Sequence, residues 1–451
     1  MDNRVDFTKY HDCLDSACTI RSIGRVTDVV GLVIEAHGPV SCLGTVCDIY
    51  TTDKRQTIAA EVSGFKDNHV LLMPLEDIHG IAPGCKVVAR QTSARLPVGP
   101  ELLGRVIDGL GKPIDDRGPI HSESDYPIYA KALNPLQRQR IRQPLDLGIR
   151  AINGLLTIGR GQRVGVFSGS GVGKSVLLGM IARKTKADVN VIALIGERGR
   201  EVNEFIEKEL GPEGLERSVI VVATSDRLPL IRMRGAFIAT AIAEYFRDQG
   251  RDVNLMMDSI TRFAMAQREI GLALGEPPTT KGYTPSVFTI LPTLLERAGT
   301  SSLTGTITGL YTVLVEGVDP NEPIADAMQS ILDVHIVLSR DLAMQNHYPA
   351  THIPGSISRV MVDIVDDHHK KNAGQLKEIL ATYRKAEDLI NIGAYTTGSN
   401  AKIDYAIEAI DRINSYLRQD IEETVFYEDS VAQLAELFTV SAQDSHATSP
   451  G

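Results

Sequence analysis

The residues best suited to chemistry in this sequence lie in a glycine-rich stretch, SGSGVGKS, at residues 168–175. An apolar run typical of a strand, VGVF, precedes it, and a run typical of a helix, VLLGMIAR, follows it. Glycines let the backbone curl so that successive N–H groups converge on one anion, and the helix N-terminus adds partial positive charge. The pattern predicts a phosphate-binding loop formed by Ser168, Gly169, Ser170, Gly171, Val172, Gly173, Lys174, Ser175 and Val176.

Two side chains of this loop predict a nucleotide bound together with Mg²⁺. Lys174 would reach the β- and γ-phosphates, and the hydroxyl of Ser175 would ligate the metal. The loop departs from the Walker A pattern at its first position, where Ser168 replaces glycine. Because that position ends the strand, we expect any small residue to suffice there.

Two acidic residues at the ends of other apolar runs predict the rest of a hydrolytic site. Asp258 ends VNLMMD and could hold Mg²⁺ through water, although such an aspartate taken alone is usually a cap or loop residue. Glu197 follows VIALIG and could orient the water that attacks the γ-phosphate. Arg198 and Glu201 could position Glu197, whereas GERGRE taken alone is typical of a charged surface turn.

The pattern of apolar runs and turn residues along the chain predicts a multidomain α/β protein that would position these residues. Between residues 21 and 95, turn residues interrupt short apolar runs about every ten positions, which is typical of a small β-barrel. From 96 to 366, apolar strands alternate with helical stretches and indicate a mostly parallel sheet covered on both faces. Residues 367–440 show helical spacing and predict an α-helical domain, and residues 441–451 predict a disordered tail.

Composition argues against several functional classes. The 451-residue chain has a formal net charge of -10, which argues against a large nucleic-acid footprint. No apolar stretch reaches the roughly 18 residues needed to span a bilayer, and the N-terminus lacks the order of a signal peptide, so we expect a cytoplasmic protein. Among the five cysteines, Cys13 and Cys18 near His11 fit no zinc pattern, and we expect reduced thiols.

Longer stretches resemble one family. The runs GQRVGVFSGSGVGKSVLL, IGERGREV and MMDSITRFAMAQREIGLALGEPPTTKGYTPSVF are similar to catalytic subunits of rotary-type ATPases. Within that superfamily they most resemble the ATPases of type III protein export, in particular the flagellum-specific ones. Matching stretches run from about residue 100 to 365 and include LLGRVIDGLGKPID and NEPIADAMQSILDVHIVLSR. The resemblance implies an N-terminal β-barrel, a RecA-like ATPase domain, a C-terminal helical domain and ATP hydrolysis by a homohexameric ring.

The resemblance also implies roles for individual residues. Glu197 matches the family's catalytic glutamate, Arg198 the arginine beside it, and Arg262 an arginine near the phosphates. In YPATHIPGSISRV, Arg359 matches an arginine finger that reaches into the neighbouring subunit's site, and Tyr348 matches the aromatic residue that packs on adenine. The predicted catalytic set is therefore Lys174, Glu197, Arg198, Arg262 and Arg359.

Cofactors, partners and location follow from the same resemblance. We expect ATP and Mg²⁺ as cofactors, and contacts of the C-terminal helices with stalk proteins, the export gate and cargo–chaperone complexes. Residues 1–20 would form a regulatory arm that meets a regulatory protein or the membrane surface. The chain would then act at the inner face of the cytoplasmic membrane.

Several residues depart from the family pattern and leave the branch of the family open. Val318 stands where aspartate is common, Val334 where glycine is usual, and Asn153 in place of a common aspartate, while HIPG replaces an acidic-apolar segment. None of these residues belongs to the phosphate machinery. The principal alternative is therefore the ATPase of a virulence-type (injectisome) secretion system.

Three further alternatives come from other classes. A non-catalytic ring subunit would carry a residue such as glutamine where this chain has Glu197. A Rho-type RNA translocase would need exposed aromatic and basic residues in its N-terminal domain, where this chain is not basic and has no tryptophan. The catalytic subunit of a proton-driven synthase is disfavoured by MAQREIGLALGEPPTTKGY and NEPIADAMQSIL, which resemble the export branch.

Overall fold

The computed structural model describes residues 22–53, 56–90, 94–315 and 322–444. The predicted arm (residues 1–20), Cys13, Cys18, Val318 and residues 445–451 lie outside these ranges. Within them the architecture is a β-barrel, a parallel sheet flanked by helices, and a helical C-terminal domain, which confirms the predicted fold class. None of the described helices is long and apolar enough to cross a bilayer.

Six antiparallel strands close the N-terminal barrel in the order β1-β2-β5-β4-β3-β6. Successive side chains of a strand point to opposite faces, so every second residue, such as Ile34, Ile49 and Leu72, fills the interior. Cys47 belongs to this interior as a free thiol, and burial, followed by the charge of Asp48, raises its pKa to about 11. The strands are β1 (Ile23–Val30), β2 (Val33–His37), β3 (Val46–Tyr50), β4 (Thr57–Lys66), β5 (His69–Pro74) and β6 (Lys86–Ala89).

A connector rich in turns leads from the barrel to the central domain. Its strands are β7 (Arg95–Val98), β8 (Val106–Asp108) and β9 (Ser124–Pro127). β7 and β9 pair with each other, while β8 forms the last strand of the central sheet beyond β14 (Ser218–Ala223). Short 3-10 turns lie at Pro100–Leu102 and Pro135–Gln137.

The central sheet has nine strands, and its main path runs β19-β18-β12-β17-β15-β13-β14-β8. Its strands pair in parallel, except that β19 is antiparallel to β18 and β16 is antiparallel to β17. Parallel order places the carboxyl ends of the inner strands at one edge. Besides β14, the strands of this domain are β12 (Arg163–Ser168), β13 (Val189–Ile195), β15 (Asp252–Asp258), β16 (Gly299–Thr300), β17 (Thr306–Leu314), β18 (Val334–Val337) and β19 (Ile357–Ser358), with β10 (Pro144–Leu145) pairing separately with β11 (Ile158–Gly159).

Helices cover both faces of this sheet, which explains why its strands are apolar along their whole length. They are α1 (Arg150–Leu155), α2 (Lys174–Lys184), α3 (Gly199–Glu204), α4 (Gly211–Glu216), α5 (Pro229–Asp248), α6 (Ile260–Ala273), α7 (Pro285–Leu295), α8 (Pro323–Ile331), α9 (Arg340–Met344) and α10 (Met361–Ile364). A π-helical segment, Phe205–Leu210, continues α3, and 3-10 turns lie at Thr280–Gly282 and Ile353–Gly355. α5 is buried over nearly its whole length because it packs between the sheet and the connector.

The C-terminal domain contains the two helices that the sequence pattern predicts and one more. They are α11 (Asp367–Asn391), α12 (Ala401–Leu417) and α13 (Tyr427–Asp444). α13 contains the first four residues of the segment expected as a tail, 441–451. It forms because Leu434, which is fully buried, packs with Leu437 and Phe438 against the core under the phosphate-loop helix. These three residues have helical spacing, but the apolar stretch is too short to predict a helix from the sequence.

A buried ion pair joins the barrel to the central domain. Arg234 of α5 donates to Glu61 of β4 across 2.5 Å, and the hydroxyl of Tyr129 in the connector donates to the other carboxylate oxygen of Glu61 at 2.8 Å. Burial raises the pKa of Glu61, and the charge of Arg234 opposes that shift. Since both charges are removed from water, each depends on the other for stability.

Removing one member of this pair should destabilise the protein strongly. Arg234→Met leaves a buried carboxylate unpaired, and we expect a loss of about 3 kcal/mol in unfolding free energy, measured by denaturant titration. The double variant Arg234→Met/Glu61→Gln should recover most of it. Lys112→Met is the matched control, because Lys112 pairs with Glu76 of the same junction in an exposed setting, where about 0–1 kcal/mol is expected. Equal losses in the two single variants would contradict the buried-pair interpretation.

Candidate active site

The predicted phosphate loop lies at the carboxyl edge of the sheet, between β12 and α2. Gly171 and Gly173 have φ of 76° and 86°, in the left-handed region that glycine adopts without strain. Gly173 is the residue before α2, so the first backbone N–H groups of that helix face the loop. The backbone therefore has the curvature that the predicted anion-binding loop requires.

The side chains of the loop divide into inward and outward sets. Ser168 ends β12 and is buried, and its Oγ has no partner within the part of the chain that the structure describes. Val172 is buried and Val176 partly buried in the core below the loop, so only their backbone faces the site. Ser170, Gly171 and Ser175 are exposed, as a ligand would require.

Three charged residues meet at this edge. Lys174 forms an ion pair with Asp258 Oδ1, and its Nζ lies 3.7 Å from Glu197 Oε1. Thr312 of β17 donates to Asp258 Oδ1 at 2.8 Å and fixes the orientation of that carboxylate. The structure thus brings together Lys174 and Asp258, which are 84 positions apart in the sequence, because β12, β17, β15 and β13 are consecutive in the sheet.

The turn before Glu197 depends on Gly196. Gly196 has φ of 73°, and an added Cβ would lie 2.7 Å from the Cβ of Arg262, so a side chain at this position would collide with α6. The backbone N–H of Arg262 is capped by the hydroxyl of Ser259 at 3.3 Å. Arg262 therefore packs directly against the turn that carries Glu197.

Burial gives Glu197 an unusual protonation equilibrium. Desolvation, then the charge of Asp258, then a hydrogen bond with Glu201 raise the pKa of Glu197 to about 7, while Lys174 opposes this shift. The pKa of Glu201 is lowered, chiefly because its carboxylate accepts that hydrogen bond. A carboxyl group with a pKa near neutrality is suited to exchange a proton with a bound water.

The remaining predicted residues lie farther from the loop or face solvent. The side chain of Arg198 is 80% exposed and lies 3.7 Å from Glu201. Tyr348 is 42% exposed, and its ring lies 3.3 Å from the position of a Cβ on Gly173, so it stands over the end of the loop. Arg359 lies outside the site of its own chain, since its N–H donates to Asp333 O, at the amino end of β18.

The donor set at the edge fits a small hard cation bound with phosphates. A cavity there is lined by Ser175, Glu197, Glu201 and Asp258, all oxygen donors, together with apolar side chains. Among the described residues, no three His, Cys, Asp or Glu side chains cluster as metal ligands. Mg²⁺ commonly takes one or two protein oxygens and completes its shell with water and substrate phosphates, which this site can accommodate.

Sequence reasoning did not identify two residues of this edge. Thr312 is a polar residue inside the apolar strand LYTVL, and that contrast was a usable signal. Arg340 follows β18 at the start of α9 and donates to the carbonyl of Ser170 at 3.3 Å. Like Glu197, Arg340 lies just after a strand, so the sequence could have indicated it. The contact of Arg340 with the loop, however, depends on the order of the strands in the sheet.

Comparison with known proteins relates all three domains to characterised families. Family profiles match residues 26–90 (ATP synthase alpha/beta family, beta-barrel domain), 148–358 (ATP synthase alpha/beta family, nucleotide-binding domain) and 365–436 (T3SS EscN ATPase C-terminal domain). The flagellum-specific ATP synthase of Bacillus subtilis is 52% identical over 433 residues, covering 94% of this chain and 97% of that protein. The type 3 secretion system ATPase of Xanthomonas euvesicatoria is 49% identical, with 92% and 93% covered.

A solved structure agrees over nearly the same length. The assembled ATPase EscN from the enteropathogenic E. coli type III secretion system superposes with a TM-score of 0.87 at 46% identity, covering 92% of this chain and 99% of that one. A second structure, EscN in complex with its central stalk EscO, gives a TM-score of 0.84 at 45% identity.

The raised pKa of Glu197 predicts a distinctive pH dependence of nucleotide hydrolysis. Its carboxylate form is lost as the pH falls through about 7, so kcat/KM should decline below that pH. Glu201→Gln removes a neighbouring negative charge, so the pKa of Glu197 should fall and the acidic limb should move to lower pH. We would measure kcat/KM between about pH 5.5 and 8.5.

The matched control for this experiment is Glu204→Gln. Glu204 lies on the same helix, but its carboxylate pairs with exposed Arg200 and is not among the groups that shift the pKa of Glu197. The acidic limb of this variant should stay where it is in the wild type. An acidic limb that does not move in Glu201→Gln, or that moves equally in Glu204→Gln, would refute the assignment.

Proposed function

Because this chain belongs to the family of flagellum-specific ATP synthases and type 3 secretion system ATPases, we propose that it hydrolyses ATP at this edge and couples hydrolysis to type III protein export. The observation that carries the proposal is the convergence of Lys174, Glu197 and Asp258 beside the phosphate loop. The chain is 52% identical to the Bacillus subtilis relative over 94% of its length, which includes all three domains, so the two proteins share the whole architecture.

Each residue at the edge has a separate task in this proposal. The loop backbone and Lys174 hold the phosphates, and Lys174 exchanges its present partner, Asp258, for them. Ser175, with Asp258 acting through water, would hold Mg²⁺, which supplies charge neutralisation at the phosphates. Glu197 orients the attacking water and accepts its proton, and Arg262 supports the turn that carries Glu197. Tyr348 packs on the base.

The position of Arg359 supports a site completed by a neighbouring copy. Arg359 lies at the same position along the strands as Arg163, which is the first residue of β12. The phosphate loop, in contrast, follows Ser168, which is the last residue of that strand. At about 3.3 Å per residue this places the backbone of Arg359 roughly 16 Å back along the strand, beyond the reach of its side chain to its own loop. We infer that Arg359 completes the site of the next copy in a homohexameric ring. The side chain of Arg198 is also exposed on the surface of the single copy.

Mixing two inactive variants tests this arrangement. Glu197→Gln should lower turnover by about 10²–10⁴, and Arg359→Ala by about 10³–10⁵, while nucleotide still binds. When equal amounts are mixed before assembly, one interface in four combines an intact Glu197 with an intact Arg359, so roughly a quarter of wild-type turnover should return. No recovery in rings of verified mixed composition would show that Arg359 does not act in trans.

We propose a cytoplasmic setting at the inner membrane face, without nucleic-acid partners. The EscN–EscO complex supports a central stalk as a partner of this chain. We place that contact on the C-terminal helices, and export-gate proteins and cargo–chaperone complexes are the further expected partners. The N-terminal arm would meet a regulatory protein or the membrane surface.

Within type III export we propose the flagellar branch, with injectisome secretion as the alternative. Flagellum-specific relatives at 52%, 51% and 50% identity support this choice, beside a secretion ATPase at 49%. Deleting the gene in its own host should abolish flagellar assembly, scored by electron microscopy and swimming. A Glu197→Gln copy should fail to restore it, whereas a wild-type copy should. Intact flagella with lost secretion of effectors would assign the protein to the injectisome branch.

A further inference from the structure

A turn of the C-terminal domain, residues 418–423, reaches back to the candidate nucleotide site. This junction turn follows α12 and precedes α13. At its start lies Gln419, which is only 4% exposed although it carries an amide. A buried amide is costly unless its donors and acceptors are paired, so its bonds indicate what holds it there.

Every polar group of the Gln419 side chain is paired across the domain boundary or within the turn. Its Oε1 accepts from the N–H of Arg150 at 2.7 Å. Its Nε2 donates to the carbonyl of Gly148 at 2.8 Å and to that of Glu423 at 2.9 Å. The side chain therefore fastens both sides of the turn to the start of α1 in the central domain.

Two cations of the central domain hold the same turn from the other side. Arg150 donates to the carbonyls of Tyr416 and Arg418 at 3.2 and 3.1 Å and pairs with Glu423. Lys184 donates to the carbonyls of Ile421, at 2.7 Å, and Glu423. Lys184 is the last residue of α2, the helix whose first residue is Lys174 of the phosphate loop. The turn is thus tied to the element that holds the loop.

The backbone of Gln419 connects this turn to Tyr348. Its N–H donates to the carbonyl of Tyr348 at 2.9 Å, and the ring of Tyr348 stands over Gly173. Once the side chain of Gln419 has fixed the turn, its N–H holds the backbone from which that ring projects. The ring of Tyr348, which we propose to pack on the base, is therefore positioned by a residue of a different domain.

We propose that Gln419 is a positioning residue for the nucleotide base, acting through the backbone of Tyr348. The inference rests on the proposed role of Tyr348. It assigns to the junction turn the task of setting how well the site holds the base, independently of how it holds the phosphates. Loss of the Gln419 amide should loosen the ring while leaving the phosphate loop and Glu197 in place.

The test compares ADP with pyrophosphate, a probe that has the two phosphates but neither the ribose nor the base. Gln419→Met keeps the side-chain length and removes both polar groups. We expect its Kd for ADP, measured calorimetrically with Mg²⁺, to rise about tenfold, and its Kd for pyrophosphate to stay within about twofold of wild type. Gln375→Met, on α11 of the same domain, is the matched control and should change neither value.

A double-mutant cycle separates action through Tyr348 from general damage. Tyr348→Ala should weaken ADP binding, and adding Gln419→Met should weaken it no further, since the group on which Gln419 acts is already gone. If Gln419→Met unfolds, Gln419→Glu, which keeps the acceptor for Arg150 N–H and removes the donor, should give the same selective loss of ADP affinity.

Three results would overturn the inference. They are equal weakening of ADP and pyrophosphate by a folded Gln419 variant, no weakening of ADP, and losses that add in the double variant. Failure of the proposed function would be different, because wild-type protein would then bind ADP no better than pyrophosphate or would not turn over ATP.

Discussion

The structure depends on one electrostatic constraint: Lys174, Glu197 and Asp258 share a small, mostly buried space. Burial, and then the neighbouring charge of Asp258, raise the pKa of Glu197, and Lys174 pairs with Asp258. In the proposed function, the phosphates of the nucleotide exchange with Asp258 as the partner of Lys174. The hydroxyl of Thr312 and the turn at Gly196 hold the two carboxylates in place for that exchange.

Buried ion pairs also hold α5 in place. The pair of Glu61 and Arg234 fastens the barrel to α5, and a second pair, Arg297 with Glu244 at 2.5 Å, ties the loop after α7 to the same helix. Such pairs cost desolvation, and removing one partner leaves the other charge buried and unpaired, so each pair tolerates little displacement. These two ion pairs therefore fix the position of α5, which packs against the central sheet.

The two ends of the sheet have different roles. At the carboxyl edge the chain gathers the groups that we propose to bind phosphate and to activate water, while Arg359 lies near the amino end of β18. If Arg359 acts as proposed, a single copy carries both halves of a site that cannot meet within it, and a closed ring can bring them together. The junction turn adds a third connection, since it ties α2 and Tyr348 to the C-terminal helices that would contact a stalk.

The sequence by itself determined the chemistry and the class of fold. The order of strand, SGSGVGKS and helix identifies a phosphate loop, and apolar strands alternating with helices identify a parallel sheet, because both signals are local in the chain. The tertiary structure decided what depends on strand order and domain packing. Thr312 and Arg340 join the site only because β17 and β18 flank β12, and α13 forms only because Leu434 has a core to pack against. Nothing near Gln419 in the sequence indicates Tyr348 or Arg150 as partners, since a hydrogen bond across 269 positions leaves no local pattern.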